Sequence, residues 1–262
     1  MWKSLVGLIL VIGIWLGGIQ PVGAIDLAGR IDRFPDWVKP AGLITSGELS
    51  YPDWFAGEWE VTSTLRSQFA PLAPEIVTPG FDRNGVNLDR PYNFRVKFSP
   101  MLEGKTGAIV PRAASSQIVA DRVFNGREIA TAYLGADLVR DVLVTRGEKV
   151  QQLTTLTNGT QLKGIVTGYQ SLQPQPDRFI ATEVTQQIFT GKTIYLNTVE
   201  TTTDYRFIAT PTPQIQARQF TAIYLSPQDP DYFHAIDKPV ALYRYELNLA
   251  PTFRTSDNVV GE

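Results

Sequence analysis

Strict alternation of apolar and polar residues organises this chain. Tyr92, Phe94, Val96 and Phe98 point one way and Asn93, Arg95 and Lys97 the other, the period of two expected when a strand buries one face. A helix would scatter those four apolar side chains around its circumference. Residues 58–66 repeat the pattern, with Trp59, Val61 and Leu65 on one side. Strand-like runs follow at 116–124, 127–134, 137–146, 150–157, 160–171, 178–189, 193–209, 215–225 and 240–249. They are rich in Thr, Val, Ile and Tyr, which suit a pleated surface. Asn125-Gly126 and Asn158-Gly159 separate them as hairpin turns, because a type I′ turn needs positive φ at both central residues. Gly147 and Gly191 mark two more turns. Helix is expected only as a short turn, within 100–115 or 228–237.

These runs predict an all-β fold, an antiparallel up-and-down β-barrel of about ten strands covering residues 57–250. Closure is the usual way for so many strands to protect their edges; a two-sheet sandwich or a curved open sheet is the alternative. Ahead of the barrel, residues 25–56 read as an irregular arm, interrupted by Pro35, Pro40, Gly42, Gly47 and Pro52. The polar residues 251–262 read as a flexible tail. The connection at 67–90 carries Pro71, Pro74, Pro79 and Gly80, and loops beyond about 15 residues in a compact domain are usually functional or disordered.

Residues 1–24 obey a different rule. Lys3 precedes an uncharged apolar run from Leu5 to Ile19, and Pro21 leads into Val22-Gly23-Ala24, the small-residue pattern of a signal-peptidase site. As a helix the run spans about 22 Å, short of the roughly 30 Å hydrocarbon core. The segment therefore predicts a signal helix cleaved after Ala24, and a protein exported to a periplasm or thylakoid lumen. Retention as an uncleaved membrane anchor is the alternative.

Composition narrows the chemistry. The 262 residues include 24 Lys+Arg, 26 Asp+Glu, one His and no Cys. The balance, a formal charge of −2, argues against a nucleic-acid partner, which would require clustered cations. Without Cys there are no thiol nucleophiles, disulfides or iron–sulfur clusters. The single His234 sits in Asp231-Tyr232-Phe233-His234-Ala235 with no Gly-x-Ser-x-Gly elbow in the chain, and reads as a surface residue. Asp229/Asp231 and Glu58/Glu60 read as solvated faces. No Walker or G-x-G-x-x-G loop is present. No cofactor and no metal are expected, and the chain leans away from being an enzyme.

Gly57-Glu58-Trp59, opening the first strand after Trp54 and Phe55, resembles the G-x-W of the lipocalins and wider calycins. That resemblance implies a barrel whose narrow end is closed by Trp59 with an Arg packed on it, and Arg244 is the matching residue. Thr203-Asp204-Tyr205 matches the lipocalin T-D-Y letters, though before a late strand. Residues Tyr51-Pro52-x-Trp54-Phe55-x-Gly57-x-Trp59-x-Val61-x-Ser63-Thr64-Leu65 also resemble an uncharacterised family of exported proteins from cyanobacteria and plant plastids, which implies a location and no activity. On the barrel reading, Trp59, Tyr92, Phe94 and Phe98 form an aromatic inner face for a small apolar ligand (a lipid, pigment or quinone), and the 67–90 loop is the lid at its mouth. Ordinary core packing also explains alternating aromatics. An accessory protein acting on a membrane protein complex by surface contact is the alternative function.

Overall fold

A computed structural model describes residues 25–101, 117–209 and 211–252. The expected signal helix and nearly all of the expected tail lie outside them. The elements run α1 (Leu27–Asp32), β1 (Gly57–Phe69), α2 (Phe81–Asn84), β2 (Pro91–Pro100), β3 (Ile118–Ala120), α3 (Arg122–Leu134), β4 (Val139–Arg146), β5 (Val150–Leu156), β6 (Gln161–Gln175), β7 (Arg178–Thr190), β8 (Ile194–Ile208), β9 (Gln214–Leu225), α4 (Tyr232–Ala235) and β10 (Ala241–Pro251). Among the described residues the ten strands make one antiparallel sheet, ordered β3-β2-β1-β10-β9-β8-β7-β6-β5-β4, curled into a half-barrel.

The expected meander is present from β4 to β10. β1 pairs with β10 on one side, Val61 opposite Leu249, and with β2 on the other, Val61 opposite Phe94. First and last strands therefore meet as in an up-and-down barrel. Hydrogen bonding does not close the ring, because β3 and β4 remain edges. β3 has three residues, pairs with Phe98–Pro100 of β2, meets only Tyr51 of the arm through a single bridge at Ile118 on its other side, and leads directly into α3.

That helix is the main departure from the sequence pattern, which predicts strands at 116–124 and 127–134 with a hairpin at Asn125-Gly126. Asp121 caps the helix by accepting from the Phe124 amide (3.1 Å). Asn125 is recruited elsewhere: its Oδ1 accepts from the Lys97 amide (2.6 Å) and its Nδ2 donates to the Lys97 carbonyl (3.2 Å). Asn125 thus does for the β2 edge what a neighbouring strand would do. The absent Cβ of Gly126 leaves room for Gln152 of β5, whose amide would lie 2.7 Å from a methyl there. Arg95 of β2 binds Glu128, and Arg127 binds Asp141 of β4 (3.1 Å each). The helix spans the seam between the two edges and is tied to both.

The arm at 25–56 contains one short helix, α1, and is otherwise mostly without regular structure. Asp26 caps α1 by accepting from Gly29, and Leu27, Ile31 and Trp37 bury on the outer face of the sheet against Ile180, Phe220, Ala222 and Leu242. Arg30 enters this layer with them. Its guanidinium binds the fully buried Glu200 carboxylate, lies 4.2 Å from the Trp37 ring, and Glu200 also accepts from Tyr224 Oη (2.9 Å) and Thr202 Oγ1 (3.0 Å). Every charge in the layer has a partner, the condition for burying one without large loss. A turn at Asn158-Gly159 joins β5 to β6 where the sequence predicts one, but it is not type I′: Gly159 has φ +84° while Asn158 is not among the residues of positive φ.

Candidate functional site

The concave face holds the main core: Phe55, Trp59, Val61, Val96, Phe98, Phe179, Ile215, Leu247 and Leu249, with Tyr51, Phe94 and Tyr205 packed beside them. Strand alternation places these side chains there, β1, β2, β7, β8, β9 and β10 each giving one face. Gly57 adopts φ +123°, open only to glycine, and turns the chain from Phe55 into β1. Trp59 is buried, and its indole donates to the Phe55 carbonyl (2.9 Å).

Two cavities flank α3 on this side. The larger, about 460 Å³, lies between α3 and strands β5–β7, walled by Ile129, Ala130, Leu134, Leu156, Leu162 and Phe189. The smaller, about 230 Å³, lies between α3 and β1, β2, β9 and β10, and is lined by Val61, Phe94, Phe98, Leu247 and Leu249 together with Tyr51, Ser63, Tyr133, Tyr205 and Gln219. Ala120, Asn125, Ile129 and Tyr133 border both. No side chain of α3 is fully buried. Ile129, Tyr133 and Leu134 keep 39%, 39% and 47% of their surface, and the cavities are where that surface faces. A close-packed interior would leave no such room.

The electrostatics of the site are set at the start of α3. Arg122 binds Glu183 and Glu48 (2.6 Å to Glu48). Burial works against the Arg122 charge, but the two carboxylates outweigh it and raise its pKa. Burial pushes Tyr205 up to about 12. It also holds Tyr51 well above the ordinary phenol value, helped by Tyr205 and Glu183. Tyr133 is raised by burial as well, and its hydroxyl lies 3.3 Å from Ser63 Oγ. These phenols are neutral near pH 7 and serve as hydrogen-bonding groups.

Of the four residues expected to face a ligand, Phe94 and Phe98 line the smaller cavity, and Trp59 sits in the core behind it. Tyr92 stacks on Tyr133 (4.4 Å between centroids), and both border a pocket of about 100 Å³. The helical wall was missed, although Ile129/Tyr133 and Ala130/Leu134 carry the i, i+4 spacing that would have shown it.

The structure does not bring Trp59 and Arg244 together. Trp59 lies opposite Pro251, whereas Arg244 lies opposite Ser67 and Phe220, about 23 Å further along β10 at the strand rise. It also faces outward, on the Leu242 side of the strand rather than the Leu247 side. Among the described residues the cations over rings are Arg30 on Trp37, Arg90 on Tyr92 and Arg95 on Phe124. Thr203-Asp204-Tyr205 divides between the faces. Tyr205 points inward, while Asp204 binds Arg178 (2.8 Å) and Arg218 (2.9 Å) outside. Those residues line an outer polar groove of about 540 Å³. It is larger than either interior cavity, but its Asp204, Arg178 and Arg218 already satisfy one another. His234 is exposed, 3.6 Å from Asp231. Residues 70–90 close one end of the half-barrel: Phe81 packs on Tyr243, Asn84 donates to Tyr243 Oη (3.2 Å), and Thr78 meets Tyr195 (3.0 Å). No group of three or more His, Asp or Glu able to hold a metal is found among the described residues.

A family model matches residues 44–252, which span β1 to β10 and both cavities. The chain belongs to the DUF6816 family. Its description is that of a domain of unknown function. No curated protein and no solved structure matches the chain. The DUF6816 match begins after α1, at Ile44, so the helix that seals the outer face lies outside it, whereas α3 lies within.

Proposed function

We propose that this DUF6816 protein is a non-enzymatic binding protein for a small apolar molecule, held inside the half-barrel around α3. The observation that carries this is the apolar cleft of about 460 Å³ beside a 13-residue helix with no buried side chain. It lies within the 300–1,000 Å³ typical of ligand sites. A binder that encloses a ligand under one helix resembles the lipocalin plan in use, though the open seam and the displaced Arg244 set it apart. The signal-like segment at 1–24 supports an exported address, the periplasm or a thylakoid lumen, where such a molecule would be carried or buffered. The likeness to an exported cyanobacterial and plastid family supports the same address.

Titration of the purified full chain with Nile red, an apolar fluorescent probe, tests the proposal. Saturable binding near one equivalent is expected, lost in Ile129→Arg, which drives a cation into both cavities. Binding that survives Ile129→Arg undiminished would place the probe elsewhere and remove the support.

A second reading, an accessory protein on a membrane protein complex, draws on one feature. Phe233 and Ile236 of the α4 segment are 80% and 51% exposed, and the Lys39 amide bonded to the Asp237 carbonyl (2.7 Å) brings the 60%-exposed Val38 alongside. Phe233→Ser should abolish co-purification with membrane complexes if that reading holds, and leave Nile red binding intact.

A further inference from the structure

The smaller cavity specifies the polar end of its occupant, an inference that rests on the ligand-binding reading above. Its polar lining carries no formal charge: phenols, a serine hydroxyl and amides set among Phe94, Phe98 and Leu247. Two of these groups, the Gln219 amide and the Tyr51 hydroxyl, have no hydrogen-bond partner among the described residues. Gln219 stands on the inner face of β9, between Tyr245 of β10 and Thr203 of β8. It offers both a donor and an acceptor, and Tyr51 offers a donor. Neither is already engaged, so both are available to a polar group brought into the cavity.

The charges nearby say which partner is excluded. Arg122 would be the natural seat for an acidic head group, but Glu48 and Glu183 already occupy it. Glu48 also meets Arg146 (3.5 Å), so these charges balance one another, and the lining of the smaller cavity offers an acid no cation of its own. The volume, about 230 Å³, lies below the range for drug-sized ligands and admits a head of one or two rings. The larger cleft shares its border along Ala120, Asn125, Ile129 and Tyr133 and is apolar.

We infer that the DUF6816 half-barrel takes a neutral amphiphile: a small ring bearing carbonyl or hydroxyl oxygens, held by Gln219 and Tyr51, with an aliphatic chain lying in the cleft on the other side of α3.

The test compares three probes of equal chain length by displacement of Nile red from the full chain: decyl-1,4-benzoquinone, decylbenzene and decanoic acid. The quinone should bind about three- to tenfold tighter than decylbenzene, the contribution of one hydrogen bond to a neutral group, and decanoate weakest. Gln219→Leu and Tyr51→Phe should each weaken that preference, and together erase it, while decylbenzene still binds, which separates a lost contact from a lost fold. Equal affinity for quinone and decylbenzene overturns the hydrogen-bonding assignment. Decanoate binding as tightly as the quinone overturns the neutral-head assignment, and in both cases the broader ligand reading stands. If Nile red itself does not bind, both readings fall together.

Discussion

Two helices cover this sheet, and they do it in opposite ways. α1 has six residues, yet Leu27, Arg30 and Ile31 are all buried, and the layer beneath it is filled by Trp37, Phe220 and the Arg30–Glu200 pair. α3 has thirteen residues and buries none. The short helix is a clamp whose groups have all found partners, and the long one is a wall standing off its own interior. Both faces carry buried core, but the convex side is packed tight under α1, whereas the concave side keeps room beside α3.

The sharpest way to break that comparison is at Glu200. Glu200→Ala leaves the buried Arg30 guanidinium without its counter-charge, and should lower the unfolding free energy by about 3–5 kcal/mol, read from urea denaturation. Next, Leu27→Ala, at 0% exposure, should cost about 2–5 kcal/mol, whereas Ile129→Ala on α3 should cost less than about 1 kcal/mol, because its side chain already faces a cavity. Equal losses at the two positions would mean that the α3 cavities close in solution.

Acid offers a smaller effect. Burial alone would raise the pKa of Asp204, but hydrogen bonds from Arg178 and Arg218 outweigh it and hold the carboxyl below its ordinary range. A carboxylate lowered in the folded state adds stability above its unfolded pKa, and that contribution fades as pH falls through the folded value. Urea midpoints should therefore drop below about pH 4, and Asp204→Asn should flatten that part of the profile while lowering the plateau above it. Smallest of all, Gly126→Ala should stabilise by up to about 1 kcal/mol through helix propensity, since the atoms a methyl would meet belong to the end of the flexible Gln152 side chain. Destabilisation instead would show that Gln152 is fixed against α3.

What was legible in the chain follows from how local each signal is. The Tyr92–Phe98 alternation, the Asn158-Gly159 turn and the inward-facing Phe94 and Phe98 depend on neighbouring residues alone, and they stand. Asn125-Gly126 has the same letters as a hairpin turn but folds as helix, because Asn125 spends its side chain on the Lys97 backbone, 28 residues away. Arg244 resembled a partner for Trp59 until strand register carried it to the other face. The arm is irregular along most of its length, and its one short α-helix gains its packing only when it meets the outer sheet.

The alternating pattern by itself determined that this would be an antiparallel sheet with one aromatic face, since period two is a property of each strand. The absence of cysteine likewise required the core alone to carry stability. Tertiary structure decided that the ring would stay open at β3 and β4, that a helix would fill the seam, and that room would be left on both sides of it. Those outcomes come from contacts between residues far apart in the chain, whose energies appear only once the strands are in place.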